Sequence, residues 1–273
     1  MDADRGTPAA PARIWYQSFV DPVEQGAYIR RLQERLDQLA APGVRYEVHG
    51  ISPPDRHLSA LTELRCAVRT VRHALQAATQ GYDAFVIGHF QEPGLLECRA
   101  AVDIPVIGLG EATMLHACTL GRSFGLVTIH PVFIPWHRDQ IVRLGLQQRA
   151  AGVRAMDTQV ASYVRAFDDP GARDQIKSAF VLQAKELVDA GAEVLIPAGG
   201  LPMLLLADER GFEVDGALVL DGIAVIATMA EAALRLHRQT GAACSRRGSY
   251  ARAPREAIDE FLADGGKSGT RSR

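Results

Sequence analysis

Short, almost uninterrupted apolar runs recur along this chain and alternate with longer amphipathic stretches. This alternation limits the fold more than any other feature. Runs such as Phe85-Val86-Ile87 and Val194-Leu195-Ile196 have no polar face, so strands made from them must be covered on both sides, as in a parallel sheet with crossover helices. The pattern predicts strands at 14–19, 46–51, 84–89, 105–109, 125–129, 155–160, 194–197 and 218–226. Asp21-Pro22-Val23-Glu24 reads as a helix start, with a capping carboxylate, Pro at the first helical position and Glu at the capping-box position. That helix runs to about Ala41, where Pro42-Gly43 stops it. Further helices are expected at 59–79, 173–189 and 222–237.

An internal echo sharpens this α/β reading. Gly81-Tyr82-Asp83-Ala84-Phe85-Val86-Ile87-Gly88-His89 has a counterpart in Gly191-Ala192-Glu193-Val194-Leu195-Ile196-Pro197-Ala198-Gly199. Each follows a long helix and ends a buried strand on a small or polar residue, and the runs at 14–19 and 125–129 look like the opening strands of two equivalent halves. The expectation is two pseudo-symmetric lobes, each a parallel sheet flanked by helices, with a site in the cleft between them. The divisions are a flexible leader at 1–12, a first lobe at 13–117, a second at 118–240 that the chain leaves by crossing back near its end, and a basic tail at 241–273. In that tail, Arg246, Arg247, Arg252, Arg255, Lys267, Arg271 and Arg273 alternate with Gly and Ser around a short helical patch, which suggests a solvated segment, with a docking segment for a partner or second subunit as the alternative.

Composition narrows the function. With 30 basic and 32 acidic residues and a formal net charge of -2, no basic excess is available for nucleic acid or an anionic membrane. No apolar run is long enough to span a bilayer and the first residues lack the form of a secretory signal, so a cytoplasmic location is expected. Cys66, Cys98, Cys118 and Cys244 are scattered without paired spacing, against a disulfide framework or a zinc module. Gly108-x-Gly110 suggests a dinucleotide loop, but Thr113 stands where the third glycine belongs.

The segment Phe85-Val86-Ile87-Gly88-His89-Phe90-Gln91-Glu92-Pro93-Gly94-Leu95 resembles the strand and loop that hydantoin racemases write as Gly-Cys-Phe-Gly-Asp-Pro-Gly-Leu. Ile104-Pro105-Val106-Ile107-Gly108-Leu109-Gly110-Glu111-Ala112 resembles the same family's Val-Pro-Val-Val-Gly-Ile-Gly-Glu-Ala, residues 191–201 its second cysteine segment, and Leu220-Asp221-Gly222 the start of its last helix. The resemblance, to the aspartate/glutamate/hydantoin racemase superfamily, covers roughly residues 13–240. It implies two lobes about a pseudo-twofold axis, a homo-oligomer, and two opposed thiols that exchange a proton with an activated carbon.

Both thiols are replaced. His89 stands at the first position, and Ala198 or Gly199 at the second. His89 is therefore the candidate catalytic residue, since imidazole titrates near neutrality. Candidate substrate contacts are Gln17 and Ser18 at the end of the first strand, Phe90, Glu111, Thr128 and His130, and Ala198, Gly199 and Gly200 on the far wall. Helix starts near Glu111 and Gly200 would offer free N–H groups to a carboxylate or imide oxygen. No cofactor is expected; a divalent metal on His89, His130 and His137 is left open but not favoured. The surviving cysteines read as packing residues. Three activities remain open for a small-molecule substrate: isomerase or racemase chemistry by proton transfer at a small carboxylate, amino-acid derivative or hydantoin-type ring; a His- or metal-dependent hydrolase or lyase on such a ring; and ligand binding without turnover.

Overall fold

The computed structural model describes residues 10–264. Most of the expected leader, and Lys267, Arg271 and Arg273 of the tail, lie outside the described residues. The chain forms two sheets. The first holds β1 (Ala12–Gln17), β2 (Val44–His49), β3 (Ala84–Ile87) and β4 (Val106–Gly108), all parallel, in the order β2-β1-β3-β4. The second holds β5 (Phe124–Thr128), β6 (Ala150–Ala155), β7 (Val194–Ala198), β8 (Glu213–Val214) and β9 (Ala217–Val219), in the order β6-β5-β7-β9-β8. Only β8 runs antiparallel. Without it, the two sheets have the same order, with β1, β2, β3 and β4 matching β5, β6, β7 and β9. The echo between 81–89 and 191–199 is therefore the equivalence of β3 and β7.

The helices are α1 (Gly26–Leu39), α2 (Ala60–Thr79), α3 (Leu95–Ala101), α4 (Leu109–Leu120), α5 (Phe133–Arg143), α6 (Val160–Ala166), α7 (Pro170–Asp189), α8 (Gly200–Leu206), α9 (Gly222–Thr240) and α10 (Arg255–Ala263). Side-chain caps fix several starts: Ser59 accepts from the Thr62 N–H, Asp169 from Gly171 and Ala172, and Asp221 from Ala224. Two helices tie the lobes together. α4 leaves the first sheet and packs on β5 and β7, whereas α9 leaves the second sheet and packs on β3, β4 and α1. The main core cluster accordingly mixes residues of both halves, among them Ile14, Val86, Met114, Ile196 and Ile226. Among the described residues, no helix is long and apolar enough to cross a membrane.

Four expectations need correction. Asp21 does accept from the N–H groups of Val23 and Glu24, but it caps only a turn, and α1 starts at Gly26. The strand expected at 155–160 lies at Ala150–Ala155 instead. As an edge strand, β6 is mostly half-exposed, so its residues lack the apolar run that marks an inner strand. The run at 218–226 divides after Val219, because Asp221 caps α9 and turns the apolar residues that follow into one helical face. The described part of the tail keeps most of its side chains exposed, as expected, but is pinned to the first lobe. Arg246 donates to the carbonyls of Arg99 and Val102 at 2.7 and 2.6 Å, both Arg246 and Arg252 pair with Asp103, and α10 buries Ile258 against the first lobe.

Candidate active site

The carboxyl ends of β1 and β3 face those of β5 and β7 across a cavity of about 70 Å³. Ser18, Phe19 and Val20 follow β1, and Gly88, His89 and Gln91 follow β3. Asp55 comes from the loop after β2, and Ala198, Gly199 and Gly200 form the far wall. The two walls nearly touch: a methyl group added at Gly200 would lie 3.0 Å from the Gly88 carbonyl and 3.2 Å from the Tyr28 hydroxyl. Gly88 itself is crossed by the Tyr16 ring, which leaves no space for a side chain.

His89 is held from behind. Its Nε2 is 3.2 Å from Asp55 Oδ2 and 3.4 Å from Glu63 Oε1, and its ring meets the edge of Phe19 at 4.6 Å. The three polar side chains are 13, 7 and 16% exposed. Burial works against the imidazolium, but the Glu63 charge and the hydrogen bonds to Asp55 and Glu63 outweigh it and carry the ring up to about 10. Burial raises Asp55, yet its interactions with His89 bring the net shift downward. Tyr28, also in the cavity wall, is raised by burial and stays a protonated donor.

Of the residues singled out from the sequence, Ser18, His89, Ala198, Gly199 and Gly200 meet around this cavity. The others lie elsewhere. Gln17 is fully buried, accepting from Trp15 Nε1 at 3.1 Å and His73 Nδ1 at 2.6 Å while donating to the Ser18 carbonyl at 2.7 Å. Phe90 is buried against the edge of His137. Thr128 lies 3.1 Å from His137 Nε2 and donates to the Ala198 carbonyl. His130 accepts from the Val132 N–H and comes within 3.9 Å of Asp157. Glu111 is turned away, with its carboxylate on Arg99 at 2.6 and 3.0 Å. Its N–H, expected to be free for a ligand, donates at 2.6 Å to the buried Glu92. His89, His130 and His137 do not converge. His137 is enclosed between Thr128 and Gln140, and burial lowers it to about 4.

Glu92 explains the glycines of Gly108-x-Gly110. Its side chain is 0% exposed and occupies the space beside Gly108, accepting from Glu111 N–H and, at 3.0 Å, from Gln140 Nε2. Gly110 makes room for Gln140 in the same way. Burial raises the Glu92 carboxyl to about 7 against those two hydrogen bonds.

No cysteine lines the cavity. Cys66 and Cys98 are buried, and Cys66 is pushed up to about 12 by burial and by the charges of Asp55 and Glu63. Asp55, Glu63 and Tyr28 were not found from the sequence. Asp55 sits in a loop, Pro53-Pro54-Asp55-Arg56, that reads as a turn. Glu63 reads as an ordinary first-turn acid of α2, and Tyr28 as the apolar face of α1.

Two sheets of matching strand order, with a small cavity carrying His89 and Asp55 between their carboxyl ends, define a two-lobed α/β protein of the kind that handles small molecules at an interlobe site. The chain belongs to the Asp/Glu/Hydantoin racemase family, whose model matches residues 26–230. It is 33% identical over 178 residues to a hydantoin racemase of Rhizobium meliloti, an alignment spanning 64% of this chain and 68% of the relative. Allantoin racemase from Pseudomonas fluorescens matches with a TM-score of 0.72 at 26% identity, covering 89% of this chain and 97% of that one. Allantoin racemase from Klebsiella pneumoniae gives the same TM-score at 24% identity, over 89% and 94% of the two chains, and supports the fold.

Proposed function

We propose that this protein is a racemase-type isomerase that moves a proton at a carbon next to a carbonyl, on a small carboxylate, amino-acid derivative or hydantoin-type ring, with His89 in place of the first thiol. The observation that carries this reading is the composition of the cavity wall. His89, backed by Asp55, is a proton-carrying pair on one side, while Ala198, Gly199 and Gly200 on the other have no side chain that can hold a proton. The ring-ureide names of the similar proteins favour a hydantoin-like substrate. In such a ring a carbonyl acidifies the neighbouring C–H; the neutral imidazole of His89 takes that proton, and the imidazolium so formed stabilises the enolate and returns a proton exchanged with solvent.

Chemistry from one wall has a stereochemical consequence. Deuterium from solvent enters on the face that His89 meets, and inversion requires the planar intermediate to turn before it is reprotonated. The test is NMR in D₂O over a panel of amino acids, hydantoins and unsaturated diacids, comparing the native protein with His89→Ala. The expected result is exchange at the carbon beside the carbonyl in at least one class, lost in the variant. An absence of exchange across the whole panel sinks the proposal.

A further inference from the structure

α1 turns its apolar face to the core through Tyr28, Leu32 and Leu36, one residue per turn. All three belong to the main core cluster, and Tyr28 is 3% exposed with its ring 5.5 Å from that of Phe167. A phenylalanine would pack equally well there. The hydroxyl adds to the packing only the cost of taking a polar group out of water. Its position in the cavity shows what it is available for.

The phenol reaches from the first lobe to the second. A methyl group at Gly200 would lie 3.2 Å from Tyr28 Oη and 3.0 Å from the Gly88 carbonyl, so the hydroxyl and the residue preceding His89 flank one point of the cavity. Gly200 has no side chain to fill that point. Burial raises the phenol above its ordinary value, and a hydrogen bond with the Ser18 hydroxyl, also in the cavity wall, works against that rise. Tyr28 therefore keeps its proton and has it free to donate while its oxygen accepts from Ser18.

The proposed reaction needs such a donor. Among the described residues, no lysine or arginine lines the cavity. When His89 takes the proton from the carbon beside a carbonyl, the C–H bonding pair moves toward the carbonyl oxygen, which becomes an enolate oxygen. The imidazolium is left at the carbon, and the oxygen requires a donor of its own.

We propose that Tyr28 is a further catalytic residue, whose phenol donates a hydrogen bond to the enolate oxygen of the substrate beside Gly200. This rests on the preceding reading of the cavity as a proton-transfer site. No bond at Tyr28 is made or broken: its proton stays on the phenol, and the hydrogen bond strengthens as charge builds on the substrate oxygen. The role is not that of a second thiol, which would carry a proton to the carbon, so the chemistry at carbon stays one-sided.

Tyr28→Phe keeps the ring and removes only the hydroxyl, and circular dichroism melts establish that it is folded. Calorimetric titrations of the full-length native and variant proteins use tetronate, a planar five-membered ring whose ionised oxygen copies an enolate, and hydantoin, a neutral ring of the same size. In Tyr28→Phe, tetronate affinity is expected to fall by about tenfold or more and hydantoin affinity by clearly less. The saturated rate of D₂O exchange should fall by about 10²-fold with KM nearly unchanged. The proposal is overturned if the native protein does not bind tetronate, or if the variant binds it as tightly as the native protein does. The two readouts separate this inference from the function. Exchange that depends on His89 but not on Tyr28 removes only the role of Tyr28, whereas Tyr28-dependent tetronate binding without exchange on any substrate class removes only the proton-transfer reading.

Discussion

The exits of β3 and β7 are the same place in two copies of one topology, and they differ in nearly everything chemical. After β3 the chain places Gly88 under the Tyr16 ring and then His89 against two acids. After β7 it places Ala198, Gly199 and Gly200, which form a wall and carry no titratable group. The comparison extends one loop further. In the first lobe the residue lodged against the glycine at the exit of β4 is Glu92 against Gly108, and in the second the residue lodged against the glycine that opens α9 is Met203 against Gly222. The same steric device holds a carboxyl on one side and a thioether on the other. Shape has been kept in both lobes, and polarity in only one.

The strongest way to break this contrast is to remove the one proton-carrying side. His89→Ala is expected to lower the deuterium-exchange rate by about 10²–10⁴-fold, the usual weight of a positioned acid or base. His89→Gln, which keeps a polar side chain next to Asp55 but cannot take up a proton, should fall nearly as far. If the Gln variant retained most of the rate, the imidazole would be a positioning group and the asymmetry of the walls would lose its chemical meaning.

Glu92 and Met203 offer the next largest effect. The Glu92 carboxyl is held up to about 7 in the folded protein, first by burial, from an ordinary value of 4.5. A raised folded value means that its favourable contribution is complete below about 4.5, where both states are protonated, and is lost as pH rises through about 7. Native stability should therefore drop relative to Glu92→Gln between those limits, by on the order of 3 kcal/mol, and level off above. Parallel urea melts at several pH values would show it. Parallel pH profiles for the two proteins would mean that Glu92 is charged when folded, and would erase the distinction drawn from Met203.

How much of this the sequence disclosed follows from what each residue must satisfy. Inner strands such as β3 and β7 are buried on both faces, so their apolar runs and their equivalence were visible. β6, at an edge, has no such obligation and was misplaced. His89 was legible because it ends a buried strand at a position where the resemblance expects a thiol. Asp55 and Glu63 lie 34 and 26 residues upstream of it, one in a proline turn and one in the first turn of a helix, and each is ordinary in its own stretch of chain. Only the fold brings them together. Glu111 misled for the reverse reason: a helix start near a strand end looks like an anion site, but Glu92 had already taken its N–H.

The glycines permit a smaller comparison. A methyl group at Gly88 would run into the Tyr16 ring, which is itself fully buried and cannot withdraw. At Gly199 the nearest atoms it would meet belong to Pro202, at 3.1 Å, and Ile129, at 3.7 Å. Gly88→Ala should cost about 2 kcal/mol or more, lowering Tm by about 4–8 °C, and Gly199→Ala clearly less. Equal losses would mean that the first wall has no tighter steric constraint than the second.

The smallest expected effect concerns a part of the molecule that has no counterpart in the second lobe. Residues 241–264 run back over α3 and α2, with Ile258 as the one buried side chain of α10 and Arg72 donating to the carbonyls of Phe261 and Leu262 at 2.6 and 3.0 Å. One buried isoleucine, the hydrogen bonds of Arg72, Arg99 and Arg246 and the ion pairs of Arg246 and Arg252 with Asp103 hold this segment, without a strand of either sheet among its contacts, so it should open on its own, below the global unfolding free energy. Ile258→Ala is expected to weaken docking by about 1–2 kcal/mol and to raise the rate of proteolytic cleavage between 241 and 264 by about tenfold. The melting of the two lobes should hardly change, because their shared core is closed by α4 and α9, neither of which touches Ile258 in any way that closure requires. If Ile258→Ala lowered the main transition as much as Gly88→Ala, the segment would be part of the first lobe's cooperative unit, and the two lobes would differ in what stabilises them as well as in their chemistry.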